Sequence, residues 1–193
     1  MRRTDIIQAS AGIFREKGYH GTSMRDIADA VHLQKASLYH HVSSKQEILL
    51  NILDQALDLL IEDMAAVVGE ELPPEKKLRR AMRVYIERLT EDADLAAVLL
   101  LEHRSLDGGN RARHIQRRDR YEALWRELLL EGMRAGAFRE MDERVAAFAI
   151  LGVLNWMVTW YREDGPLSAA ELAESFSSLV LEGLRIPGAD VKK

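Results

Sequence analysis

Apolar residues recur at helical spacing along almost the whole chain, and nowhere do they alternate as they would on a half-buried strand. Ile6, Ile7, Ile13 and Phe14 mark one face of a helix from about Arg3 to Lys17, with Gly18 placed to stop it. Ile27, Ala28 and Val31 mark a short second helix from Ser23. Leu38 and Val42 mark a third over about Lys35 to His41. A fourth starts at Ser44 and runs toward Val68, and more are expected near 75–91, 93–105, 110–135, 142–163 and 168–185. The pattern predicts an all-α protein of about nine helices, with residues 188–193 as a flexible tail.

Local signals sharpen the helix starts. Ser23 with Asp26, Ser44 with Glu47 and Ser168 with Glu171 have the spacing of capping boxes. In such a box a hydroxyl accepts a first-turn N–H and the carboxylate three residues on reaches back. At the third, Leu167 and Leu172 stand where a hydrophobic staple would form. Only His32, Leu33 and Gln34 separate the second and third helices. So short a connection joins helices at a steep angle, as in a helix-turn-helix over about 23–42, whose second helix enters the DNA major groove.

The residues of that helix suit the task. Lys35 can reach a base edge or phosphate, Ala36 and Ser37 permit close approach, and Tyr39 and His40 can hydrogen-bond the DNA backbone. Lys45 opens the fourth helix, where a cation and free N–H groups would both meet phosphate. Taken singly, Tyr39 could equally be a half-buried residue, and Lys35 or Lys45 a solvated one. His40 and His41 do not suggest a metal site: neighbouring helical side chains point about 100° apart, and no carboxylate or histidine follows at i+4.

Charge divides the chain in two. The total is −4, yet residues 1–48 hold seven Lys and Arg against five Asp and Glu, a net of +2, and four of the six histidines. The remainder holds twenty against twenty-six, a net of −6. The N-terminal quarter can therefore approach phosphate, and the rest has another task. With no cysteine, disulfides and thiolate metal sites are excluded. The start of the chain lacks the apolar run of a secretory leader, and a cytoplasmic protein is expected. The apolar run Val145 to Tyr161 is short for a membrane span and contains Asn155, so it reads as a helix buried on more than one side.

The stretch "REKGYHGTSMRDIADAVHLQKASLYHHVSSKQEIL" resembles the DNA-binding domain of TetR-family transcriptional regulators. Gly18-Tyr19, Gly21-Thr22-Ser23, Ile27-Ala28, Ala36 through His41 and Lys45 carry the resemblance. It implies a homodimeric, all-helical protein with a three-helix DNA-binding domain over 1–48 and a ligand-binding and dimerisation domain over 49–187. Lys35, Ser37, Tyr39 and His40 would be the recognition face, and Thr22, Arg25 and Lys45 the phosphate clamps, with Ser23 and Ala36 beside them. Two positions depart from the family pattern. His32 stands where glycine is usual, which predicts a positive φ with some strain, and Gln34 replaces a Ser or Thr cap.

In the C-terminal part, two successive helices are apolar around much of their circumference and need cover. A second copy of the chain would supply it through Phe148, Trp156, Phe176 and Val180, and its two-fold would match a palindromic operator. A monomeric bundle is the alternative. Tyr85, Leu89, Leu99, His103, Trp125, Leu129 and Met133, with Asn155 and Trp156, are large residues suited to an effector pocket, although each suits an ordinary core equally. The segment from Asn155 to Ser168 is similar to that of TetR regulators of fatty-acid and steroid degradation, several of which respond to acyl-coenzyme A thioesters. The basic run "RARHIQRRDRYE" could face a coenzyme A phosphate or solvent.

The expected partners are thus operator DNA, a small apolar effector such as an acyl-coenzyme A, and a second copy, with no cofactor, metal or membrane. An activator of the same build stays open beside a repressor. A helical-bundle enzyme or lipid-binding protein is a remote rival. The sequence has no Glu-x-x-His pair, Gly-rich phosphate loop or His-Glu-x-x-His. A purely architectural DNA protein would be basic overall.

Overall fold

A computed structural model describes residues 3–185; the expected tail at 188–193 lies outside them. Every regular element among the described residues is a helix. The first, α1 (Arg3–Gly21), is interrupted at Gly18, whose φ of 72° and ψ of 159° suit glycine and break the helical path. One further turn follows, which buries Tyr19 edge-on against Phe14 at 5.4 Å. Ile6, Ile7 and Phe14 are buried as expected, whereas Ile13 is only half-buried.

Helix α2 (Met24–Ala30) starts with both halves of the Ser23–Asp26 box in place, and Ile27, Ala28 and Val31 are buried. Helix α3 (Lys35–Leu38) is shorter than its pattern suggests: it ends at Leu38, not His41. The His40 and His41 N–H groups turn to the carbonyls three residues back, Ser37 and Leu38, and close a tight last turn. In α4 (Lys45–Val68) the expected box is displaced by one residue. The Ser44 hydroxyl does accept the Glu47 N–H, but the Glu47 carboxylate bonds the Ser43 N–H and hydroxyl and pairs with Arg3.

After α5 (Pro74–Glu91) the helix expected at 93–105 breaks into three: α6 (Ala93–Ala97), a π turn over Val98–Glu102 and a 3₁₀ turn over His103–Ser105. Helix α7 (Gly108–Arg134) is followed by α8 (Glu143–Trp156), which Asp142 caps. Helix α8 ends in a 3₁₀ turn at Thr159, short of the expected 163. Helix α9 (Ala169–Leu184) opens on the complete Ser168–Glu171 box, but Leu167 stays 44% exposed and clasps little.

The described residues form two compact units. The first contains residues 3–59 together with 92–118. Ile6, Phe14, Ile27, Leu38, Ile48 and Ile52 are almost wholly buried in it, each worth roughly 1.5–3 kcal/mol of transfer free energy. Polar contacts attach the later stretch to the earlier one. Gln8 donates to Asp92 at 2.9 Å, Arg15 pairs with Asp94 at 2.9 Å, and Gln46 donates to the Ser105 carbonyl at 2.8 Å while accepting from the Asp107 N–H.

The second unit contains residues 60–91 and 119–185, with α5 packed along α9. Lys77 is 6% exposed, and its ammonium donates to both Glu131 oxygens and the Val68 carbonyl, each at 2.9 Å. It thereby satisfies an orphan acceptor at the end of α4. Arg88 makes a two-pronged pair with Asp63 at 2.8 and 3.1 Å. No helix among the described residues is long and apolar enough to cross a membrane.

Candidate functional site

The turn between α2 and α3 is held by local backbone bonds, Leu33 N–H to the Ala28 carbonyl at 2.9 Å and His32 N–H to Asp29 at 3.2 Å. His32 has the expected positive φ, 54°, and Gln34 makes no side-chain cap. With Leu38 fully buried beneath it, α3 turns Lys35, Ala36, Tyr39 and His40 outward, and Ser37 is half-buried. Tyr39 is 46% exposed. Arg25 on α2 is held only by a 3.9 Å contact with Asp29. Ser23 is occupied as a cap, and its hydroxyl and N–H hold the Asp26 carboxyl well below the usual carboxylate range, with help from Lys17.

Two of the expected phosphate clamps are engaged within the chain. Thr22 is 2% exposed and donates its hydroxyl to the Gly18 carbonyl at 2.8 Å. The Lys45 ammonium donates to the carbonyls of Tyr19 (2.7 Å) and Thr22 (2.5 Å) and lies over the Tyr19 ring, and burial pushes its pKa down. Both side chains brace the kinked end of α1, where broken helical bonding leaves carbonyls to satisfy.

The residues expected around an effector are divided between the two units. Leu99 and His103 belong to the first unit; Tyr85, Leu89, Trp125, Leu129, Met133, Asn155 and Trp156 belong to the second. In the second, Tyr85 and Trp125 are buried edge-to-face at 6.2 Å, and Tyr121, unnoticed in the sequence, packs on both at 6.1 and 6.4 Å. The Tyr85 hydroxyl donates to Asn155 Oδ1. Burial raises the pKa of Tyr85 and of Tyr121, so both phenols stay neutral. Leu89 and Leu129 are buried nearby in sequence and Met133 half-buried. A cavity of about 10 Å³, lined by Asp63, Met64, Tyr85 and Tyr121 among others, opens beside the rings.

Trp156 is 66% exposed. With Val145, Phe148 and Val153 it leaves one face of α8 uncovered in the protomer, so that helix is not enclosed by its own chain. On α9, Leu179 is 65% exposed, while Phe176 and Val180 are half-buried, Phe176 edge-on to Trp160.

In the first unit, His103 stacks on His114 at 6.0 Å. His114 is 1% exposed, neither ring nitrogen has a partner, and its pKa is lowered to about 4 by burial and then by His103, Arg118 and Arg117. No spacing rule marked it. Part of the basic run is neutralised locally, since Arg113 pairs with Asp54, and Arg117 with Asp54 and Asp58.

Comparison with known proteins bears on both units. Residues 6–52 match the family of bacterial regulatory proteins, tetR family, and residues 71–184 the tetracyclin repressor-like C-terminal domain. The chain is 30% identical to the HTH-type transcriptional repressor KstR2 of Rhodococcus jostii, over 96% of this chain and 92% of that one. Among solved structures it is similar to PfmR, a TetR family transcriptional regulator from Thermus thermophilus. That match has a TM-score of 0.87 at 39% identity and covers 94% of this chain and 99% of that one. It is also similar to AibR in complex with isovaleryl coenzyme A and operator DNA, with a TM-score of 0.86 at 31% identity, covering 93% and 97%.

Proposed function

Because the chain belongs to the tetR family of bacterial regulatory proteins, we propose that it is a transcriptional repressor released from a palindromic operator by an acyl-coenzyme A. The observation that carries this reading is the full-length likeness to AibR, a protein solved with both an acyl-coenzyme A and operator DNA. The role is regulatory rather than catalytic, and it is exercised in the cytoplasm, where the operator is.

In this reading Lys35, Ser37, Tyr39 and His40 face base edges and backbone, and Arg25 contacts phosphate. Ser23 and Ala36 allow the close approach of their helices. Two copies pair through the exposed faces of α8 and α9, with Phe148 and Trp156 central and Phe176 and Val180 beside them. The effector is sensed by the Tyr85–Trp125–Asn155 cluster, with Leu89, Leu129 and Met133 as apolar surroundings.

Release requires that the effector bind the DNA-free form more tightly than the DNA-bound form, since equal affinity shifts nothing. By linkage, operator DNA then weakens effector binding by the same factor. The test is a gel shift on the chain's own upstream region with acyl-coenzyme A esters from butyryl to palmitoyl. Dose-dependent release by a band of chain lengths is expected. Release by none of them, with release by an unrelated compound, would remove the acyl-coenzyme A part and keep the regulator.

A further inference from the structure

One side-chain amide joins three helix ends in the first unit. Gln46, the second residue of α4, is half-buried. Its Nε2 donates to the Ser105 carbonyl at 2.8 Å, and its Oε1 accepts from the Asp107 N–H at 3.1 Å. It also hydrogen-bonds the Tyr19 hydroxyl, in the turn that follows the kink of α1. Asp107 opens α7: its carboxylate accepts the Asn110 N–H at 3.1 Å and its carbonyl the Arg111 N–H at 2.7 Å. The two bonds to the 105–107 backbone straddle Leu106, which is buried, so a polar clasp and an apolar plug hold the same short connection.

We propose that Gln46 is a positioning residue for operator binding: it fixes the reading helix against the start of α7 and so sets the half-site spacing that the paired chains accept. The inference rests on the paired, operator-binding reading above and needs no effector.

The clasp asks for a primary amide. The Ser105 carbonyl needs a donor and the Asp107 N–H an acceptor, and glutamine carries both on one planar group. Glutamate would turn a charged acceptor toward the carbonyl, and leucine offers neither function. Further along, Arg113 and Arg117 already tie α7 to Asp54 and Asp58 of α4, so the two helices stay together without the clasp. What Gln46 adds is control of the first turn of α4. Residues 39–44 alone join that turn to α3, so a shift of one carries the other. Two heads must meet half-sites about 34–36 Å apart, and a loosened head spreads that distance.

The test uses the full chain and a palindromic duplex that wild type selects from a random-sequence pool. A second duplex has one base pair inserted between the half-sites, which separates them by about 3.4 Å more and turns one against the other by roughly a tenth of a helical turn. Filter binding at several salt concentrations and thermal melts are run on wild type, Gln46→Leu and Gln46→Glu. Gln46→Leu is expected to bind the selected duplex about tenfold more weakly, the size of one or two hydrogen bonds. The ratio of its affinities for the two duplexes should fall by about the same factor. Its salt slope should keep the wild-type value, because no phosphate contact is lost. Gln46→Glu, which retains an acceptor for the Asp107 N–H, should fall between the two. A Gln46→Leu chain that melts earlier yet discriminates the duplexes like wild type would make the clasp structural only and overturn the proposal. Unchanged affinity for both duplexes would overturn it as well. A wild type that selects no palindromic duplex would remove the operator reading itself, and this proposal with it. Should Gln46→Leu not fold, the discrimination shown by Gln46→Glu decides.

Discussion

The Lys45 ammonium lies 4.3 Å from the centre of the Tyr19 ring and donates to the Tyr19 carbonyl at 2.7 Å, so one residue of α4 holds the ring and the backbone of the turn that follows the kink in α1. Replacing it with methionine removes two hydrogen bonds, leaves the Tyr19 carbonyl with the Thr22 N–H alone at 3.3 Å, and removes a cation–π contact. Lys45→Met should therefore lower the stability of the DNA-binding unit by about 1–2 kcal/mol. Operator affinity should fall through that loss while its dependence on salt keeps its slope. A slope reduced by about one, at unchanged melting temperature, would show that Lys45 meets phosphate instead.

Arg25→Ala and Lys35→Ala should behave in the opposite way. Neither side chain is held by a close protein partner, so melting temperatures should stay within about 1 °C-scale scatter of wild type, as for surface changes generally. Each should reduce the slope of log affinity against log salt by about one if it contacts phosphate. Filter binding at several salt concentrations measures it.

How much of this was legible beforehand follows the range of each interaction. The Ser23–Asp26 and Ser168–Glu171 boxes, the stop at Gly18 and the positive φ of His32 are settled within a few residues, and the sequence pattern finds them. The task of Lys45 is not legible, because its acceptors are backbone carbonyls more than twenty residues earlier, and no side-chain pattern marks them. The break of the 93–105 helix into α, π and 3₁₀ turns was likewise hidden, as was Tyr121 in the aromatic cluster. A tyrosine at helical spacing reads as core, and only the neighbouring Tyr85 and Trp125 make it more.

His114 gives a pH dependence whose direction is determined. Its pKa in the folded chain is about 4, against 6.5 for a free histidine, because burial, His103, Arg118 and Arg117 all oppose its charge. Between those values the unfolded chain holds the extra proton, so stability falls as pH drops from about 6.5 toward 4. The full effect is on the order of 3 kcal/mol. His114→Leu should flatten this part of the curve in denaturant titrations from pH 4 to 7. A curve with the wild-type slope would assign the proton elsewhere.

Gly132 is occupied for steric reasons. A Cβ there would lie 2.1 Å from the Phe138 ring, which is itself 2% exposed. Gly132→Ala should cost about 1–3 kcal/mol by overpacking despite alanine's better helix propensity. Gly132→Ala combined with Phe138→Leu should recover part of it. Chemical denaturation of the single and double variants measures the coupling.

The exposed face of α8 predicts a change in assembly. A paired interface of the obligate kind buries more than about 2,000 Å² in total. An aspartate at its centre would be desolvated without a partner. Trp156→Asp should therefore shift sedimentation at micromolar concentration toward the monomer and weaken operator binding with it. A dimer of wild-type strength would exclude the face that carries Trp156, Phe148 and Val145.

The unit that carries the reading helix is built from two separated stretches, and this bears on any attempt to transplant it. A chimera that takes residues 1–52 from this protein and the remainder from a relative would keep Gln8, Arg15 and Gln46 but replace Asp92, Asp94 and the Ser105–Asp107 backbone that they hold. Its new head would sit on foreign attachment points, and its response to effector would be lost or altered even with every base-facing side chain intact. To move a DNA specificity between such proteins, the internal stretch 92–118 has to travel with the N-terminal one.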